Sequence, residues 1–134
     1  MSVCVLDTDV VIAALDRADA HHGEAARAFE RFAAEDYELL LCTVNYAEAL
    51  VRPAQDERSL RAAIDAIAAL GIRLLAPDAT MARNAARHRG HGVSLADGFA
   101  LATAVARKAG VASFDKRVRR ALDPVGLQLA LPLT

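Results

Sequence analysis

A chain of 134 residues, 54% hydrophobic and 25% charged, is long enough to bury a full core without disulfides or metal staples, and this composition excludes a disordered polymer. The formal net charge of -1 excludes a global basic field of the kind that holds nucleic acid without specificity, so any such partner needs a local patch. No run of 18 apolar residues and no basic leader with an apolar segment occurs, so neither membrane spanning nor secretion is expected.

The chain opens on Val3–Leu6, four apolar residues that stop abruptly at Asp7, the pattern of a strand buried on both faces. Residues 10–15 continue apolar until Asp16-Arg17-Ala18-Asp19 breaks the run, and His22–Ala34 carries Ala25, Ala26, Phe29 and Phe32 at helical spacing. Residues 39–42 read as a second buried strand, ending on Thr43, with a helical pattern through Tyr46, Ala47, Leu50 and Val51 that Pro53 stops. A longer helix spans 56–70 with Gly71 past its end, a third strand spans 72–76, and Ala79–His88 forms another helix. Residues 89–92, Arg-Gly-His-Gly, read as a flexible loop. The spacing then predicts a helix over 94–109 stopped by Gly110, a fourth strand over 111–114, a short helix over 117–122 and a last edge strand over 127–131. Strands alternating with helices imply βαβ units and a parallel sheet covered on both faces, with no linker dividing residues 1–134 into separate domains. Cys4 and Cys42 lie in apolar runs and build neither a disulfide framework nor a zinc spacing, which fits a reducing cytoplasm. The 14 arginines against 2 lysines read as genomic composition and not as a binding code.

Four carboxylates fall just beyond strand ends or in the first turns of helices: Asp7, Glu48, Asp97 and Asp115. Each has a local explanation. Asp7 and Asp115 suit the N-caps of the helices they precede, while Asn45 with Glu48 and Ser94 with Asp97 have capping-box spacing. Together they gather along one edge of the sheet, outside the carboxyl ends of its strands, where like charges repel unless a cation lies between them. An all-oxygen set without histidine or cysteine favours magnesium or manganese over zinc. One or two such ions polarise a phosphodiester and activate water, which is nuclease chemistry.

These residues resemble the PIN-domain family, and specifically the VapC-type toxins of bacterial toxin-antitoxin pairs. Val5-Leu6-Asp7-Thr8-Asp9 is similar to the opening motif, Asn45-Tyr46-Ala47-Glu48 to the second, Ser94-Leu95-Ala96-Asp97 to the third, and Ser113-Phe114-Asp115-Lys116-Arg117 to the fourth. The resemblance spans essentially the whole chain as one domain. It implies a three-layer α/β/α sandwich around a mainly parallel sheet of four to five strands. The implied activity is that of a cytoplasmic, magnesium-dependent endoribonuclease, with Mn2+ as a second possible ion. Its implied partners are an RNA substrate and a small DNA-binding antitoxin that keeps it inactive, in a homodimer or a larger toxin-antitoxin assembly. Carried over, Asp7 and Asp97 hold the ion most directly, Asp115 and Glu48 complete its surroundings, and Thr8, Asn45 and Ser94 support them. Position 9 departs from the family's usual Ser or Asn; Asp9 either tightens metal binding or points away. Arg87 and Arg89, and Lys116, Arg117, Arg119 and Arg120, are candidates for RNA phosphates, with Lys116 and Arg117 favoured because they adjoin Asp115. His21, His22, His88 and His91 fall in no motif and are assigned surface or cap roles. Tyr46 is assigned to the core. Residues 10–15 and 46–51 flank the acidic edge as either ordinary core or the groove that receives an antitoxin peptide.

Two other families share part of the pattern. Asp7-Thr8-Asp9 also matches the opening of haloacid-dehalogenase-like phosphatases, with Asp7 as nucleophile, Asp9 as general acid and Thr43 as a phosphate-binding residue, but the only lysines are Lys108 and Lys116. Receiver domains of response regulators cluster acids around magnesium as well, yet the third strand here runs into Ala76-Pro77, and Asp78 suits a helix cap. A PIN-like fold that binds partners without cutting is a further alternative, against which the intact acids speak.

Overall fold

The computed structural model describes residues 2–133. Four short strands, β1 (Val3–Leu6), β2 (Glu38–Cys42), β3 (Ile72–Leu75) and β4 (Gly110–Ala112), form one sheet in the order β3-β2-β1-β4. Every neighbouring pair is parallel, with Val5 opposite both Leu40 and Val111. Parallel strands need long crossovers, and helices supply them. α1 (Thr8–Leu15) and α2 (His22–Ala34) lead from β1 to β2, α3 (Thr43–Leu50) and α4 (Glu57–Ala69) from β2 to β3, and α5 (Ala79–His88) and α6 (Leu95–Arg107) from β3 to β4. α7 (Lys116–Val125) follows the last strand.

The two-residue alternation of a strand divides the core between the faces. Cys4, Leu6, Leu39 and Leu41 pack with Val10 and Val11 of α1, Phe29 and Phe32 of α2 and Ile67 of α4. Val5, Leu40 and Val111 pack with Leu101 and Ala104 of α6 and Val118 and Leu122 of α7. The result is the expected three-layer sandwich, with four strands. Among the described residues no helix is long and apolar enough to cross a membrane.

Strand order decides where a ligand fits. β1 is central, with β2 on one side and β4 on the other, so the connections diverge at the boundary between β1 and β4. A crevice opens at such a reversal, beyond the carboxyl ends of the strands. Asp7 leaves β1 at that place, and Ser113, Phe114 and Asp115 leave β4 beside it. The candidate receiver strand, β3, lies instead at the edge, where Arg73 pairs with Glu38 at 3.0 Å.

Several boundaries differ from the sequence expectation. The edge strand expected over 127–131 is reduced to one bridge between Leu129 and Val111, held by Val111 N–H to Gln128 O at 2.9 Å and Ala130 N–H to Val111 O at 2.8 Å. The chain then turns into a 3-10 segment at Leu131–Leu133, which ends the pairing. Gly110 does not stop α6: Lys108 does, in a left-handed conformation at φ 52°, and Gly110 begins β4. The loop at 89–92 is a 3-10 turn, Arg89–His91, closed by Gly92 at φ 81°. α7 runs past its expected end to Val125, with Pro124 accommodated inside its last turn, and Gly126 in a left-handed conformation terminates it.

Residues of α5 and α6 approach through Met81, Ala85 and Ala102. A Cβ on Gly98 of α6 would lie 2.5 Å from the backbone oxygen of Ala85, a clash with backbone that no rotamer relieves. Gly98→Ala is therefore expected to destabilise the protein by about 1–3 kcal/mol in urea unfolding. Gly90→Ala, where a Cβ meets nothing within 4 Å, is the control and should change stability little.

Candidate active site

The acidic edge is built outward from Asp7. Its N–H donates to Ala112 O at 2.9 Å, extending the β1–β4 ladder one residue before α1 turns away. Asp7 is extended, at φ -77° and ψ 157°, and caps α1, its Oδ1 accepting from the Thr8 N–H at 2.9 Å. The other oxygen, Oδ2, accepts from the Ser113 hydroxyl at 2.7 Å, and Ser113 Oγ accepts from the Asp115 N–H at 3.1 Å. Only 2% of Asp7 is exposed. Capping and site membership are thus the same geometry, because a strand end that begins a helix presents its side chain at the sheet edge.

Asp9 turns into this cluster. Its Oδ2 accepts from the Phe114 N–H at 3.0 Å, while its buried Oδ1 has no hydrogen-bond partner among the described residues. Ser94 caps α6, accepting from the Asp97 N–H at 3.1 Å, which sets the Asp97 carboxylate on the first turn facing the β1 end. Asp115 caps α7, accepting from the Arg117 N–H at 2.7 Å, and the Arg117 guanidinium approaches it at 3.4 Å. Glu48 joins from α3: the Thr8 hydroxyl donates to its Oε1 at 2.6 Å.

Asn45 corrects the sequence reading. α3 begins at Thr43, directly after β2, with Cys42 in the cap position, so Asn45 lies inside the helix and is fully buried. Its Nδ2 donates to Thr8 Oγ1 and to Ala96 O, both at 3.1 Å, tying α3 to α1 and α6 instead of capping with Glu48. Among the cations, Lys116 is exposed, Arg117 is engaged with Asp115, and Arg119 braces the end of β4, its Nε donating to Ser113 O at 2.7 Å. Ser113 was not singled out in the sequence; its one signal is a hydroxyl at a strand end, two residues before Asp115.

Electrostatics reports the crowding directly. Burial first, then the charges of Asp9 and Asp97, push the Asp7 carboxyl up to about 8, against its bonds from Ser113 and Thr8. Burial, helped by Asp115 and Asp97, pushes Asp9 up to about 6 despite the Phe114 N–H. Burial acts upward on Asp115 too, but the backbone and guanidinium of Arg117 outweigh it and hold this acid below its ordinary value.

A family model for the PIN domain matches residues 4–122. The chain belongs to the PIN-domain family. Among solved structures, this PIN chain is similar to VapBC2 from Rickettsia felis bound to a promoter DNA fragment, at 15% identity and TM-score 0.74, covering 96% of this chain and 97% of that one. It is also similar to VapC20 of Mycobacterium tuberculosis, a sarcin-ricin loop cleaving toxin, at 19% identity and TM-score 0.67, covering 86% and 92%. A third is FitAcB from Neisseria gonorrhoeae, at 21% identity and TM-score 0.69, covering 96% and 97%. At these identities the likeness establishes the fold. No curated protein matches the chain in sequence.

The acids of this PIN chain fit a hard divalent cation. Their donors are all oxygen, the Asp9 Oδ1 is buried without a partner among the described residues, and the Asp7 carboxyl is pushed up to about 8, first by burial and then by the charges of Asp9 and Asp97. Among the described residues no group of three or more histidine, cysteine, aspartate or glutamate side chains is arranged to hold a metal ion.

With chelator present, the fold holds a proton on Asp7 up to about pH 8, whereas the unfolded chain releases it near pH 4. The raised acid therefore costs stability progressively as pH rises through that window. Asp7→Asn removes the cost, and comparing it with wild type cancels the titrations of groups that Asp7 does not influence, leaving Asp7 and its coupled neighbour Asp9. The variant is expected to gain on the wild type from pH 4 to pH 8, reaching on the order of a few kcal/mol at the top of the window, in calorimetric unfolding. A gap independent of pH would contradict the placement of Asp7.

Proposed function

We propose that this chain is a magnesium-dependent endoribonuclease, the toxin of a VapC-type toxin-antitoxin pair, acting in the cytoplasm. What supports the reading is that hydrogen bonds through Ser113 and the Phe114 N–H tie Asp7, Asp9 and Asp115 to the end of the central strand of a PIN fold. The charge of Asp97 acts on Asp7 and Asp9, and Glu48 is bonded to Thr8 beside them. The description of VapC20 as a toxin that cleaves the sarcin-ricin loop supports RNA as the substrate class.

Asp7, Asp97 and Asp115 would hold the ion, with Asp9 as a further donor and manganese as an alternative metal. Bound there, a hard divalent cation supplies the charge that polarises a phosphodiester and makes water acidic enough to attack it. Asp7 contributes by giving up the proton that burial forces on it, and the Thr8 N–H and Ser113 hydroxyl keep both its oxygens aimed while it does so. Thr8 fixes Glu48 in turn, with Asn45 behind it, so that Glu48 can orient the attacking water or accept its proton. Lys116, exposed beside Asp115, offers a phosphate contact.

The antitoxin reading rests on a groove between α1, α3 and α4, of about 860 Å³, lined by Ile12, Leu15, Ala49, Val51 and Ala66. Solved relatives of the VapBC and FitAB types support such a partner. Glu48 forms part of the same wall, so a peptide seated there reaches one acid of the site. The phosphatase alternative draws no support from the PIN match.

Incubating antitoxin-free protein with total cellular RNA should give discrete products with magnesium or manganese and none with chelator. Asp7→Asn and Asp97→Asn should each reduce cleavage to background while remaining folded by circular dichroism. Intact RNA with the wild type, or full activity in both variants, would overturn the assignment.

A further inference from the structure

His21 was assigned to the surface on sequence grounds, but the fold stacks it on Phe114, whose backbone borders the acidic edge. Its ring stacks on Phe114 with centroids 4.5 Å apart and planes 9° from parallel. Phe114 is tied to the site twice: its N–H donates to Asp9 Oδ2, and it precedes Asp115 in the chain. One side of the Phe114 ring packs on the core, and His21 lies on it. The His21 backbone N–H donates to Asp19 Oδ1 at 2.8 Å, and the ring Nδ1 lies 3.5 Å from Glu24 Oε1. The side chain nevertheless remains 48% exposed.

From this geometry we infer that His21, backed by Phe114, is a stacking platform for an unpaired nucleobase of the RNA substrate beside the cleaved phosphate. The inference rests on the nuclease reading and adds a positioning residue to it. A flat π surface already ordered by a second ring loses little entropy on binding, and single-stranded RNA presents bases whose faces need such a partner. The backbone phosphates repel an acidic edge, so affinity has to come from beside the acids and not from them. Phe114 supplies that adjacency through its bond to Asp9.

The test uses a random-sequence, single-stranded RNA pool carrying a fluorophore and a quencher. Cleavage by wild type, His21→Ala, His21→Phe and His21→Leu is followed with magnesium, and binding by the same variants in an Asp97→Asn background is followed with chelator. Loss of one base stack is expected to raise KM and weaken binding about tenfold in His21→Ala, with kcat within about twofold. His21→Phe should restore both, and His21→Leu, which covers Phe114 without a π face, should behave like His21→Ala. Unchanged KM in His21→Ala, or His21→Leu matching His21→Phe, overturns the platform while the nuclease stands. A pool neither cleaved by the wild type nor bound by Asp97→Asn overturns the nuclease reading itself, and the platform with it.

Discussion

Burying the Asp7 carboxylate at the end of the central strand is the constraint on which the rest of this structure turns. A carboxyl with 2% exposure and two acidic neighbours costs the metal-free fold stability, as its rise to about 8 records. Two hydrogen bonds to its oxygens offset part of that cost and fix its orientation. What remains is a carboxyl held well above its ordinary value at the end of the central strand.

Two networks radiate from this point and join the layers of the sandwich. On the β4 side, Ser113 links Asp7 to Asp115, and Arg119 holds the Ser113 carbonyl, so the start of α7 is locked to the end of β1. On the β2 side, Asn45 links Thr8 to Ala96 and thereby α3 and α1 to the turn that carries Asp97. The Nδ2 bonds of this buried amide replace bonds to water while its Oδ1 is buried without a partner among the described residues, so its contribution lies less in stability than in determining which turns face one another. Glu48 sits where the second network meets the groove between α1, α3 and α4. Under the proposed function, substrate chemistry and antitoxin binding share that one residue, which gives inhibition a direct physical route.

Much of this was legible in the sequence. Hydrophobic periodicity indicated the four strands and seven α-helices to within a few residues, because short apolar runs such as those at 3–6 and 39–42 leave few alternatives to a buried parallel strand. The positions of Asp7 and Asp115 followed as well, since a polar residue ending such a run must emerge at the sheet edge, and Asp97 followed from the start of the helix that carries it. The helix end at Lys108 was not readable, because a non-glycine left-handed residue carries no composition signal. Nor was the single bridge at Leu129, whose pairing depends on the free side of β4.

Local patterning, then, determined the elements, the layer architecture and the strand-end acids. Only the tertiary structure decided which way Asp9 points, that Asn45 is a buried bridge and not a cap, that Ser113 holds Asp7, and that His21 lies on Phe114. Each of these is a contact between residues 37 to 106 positions apart, or across elements brought together by strand order. Periodicity encodes which face a side chain occupies, but a partner on another element is set by the register and crossing of packed layers, and no local pattern carries that information.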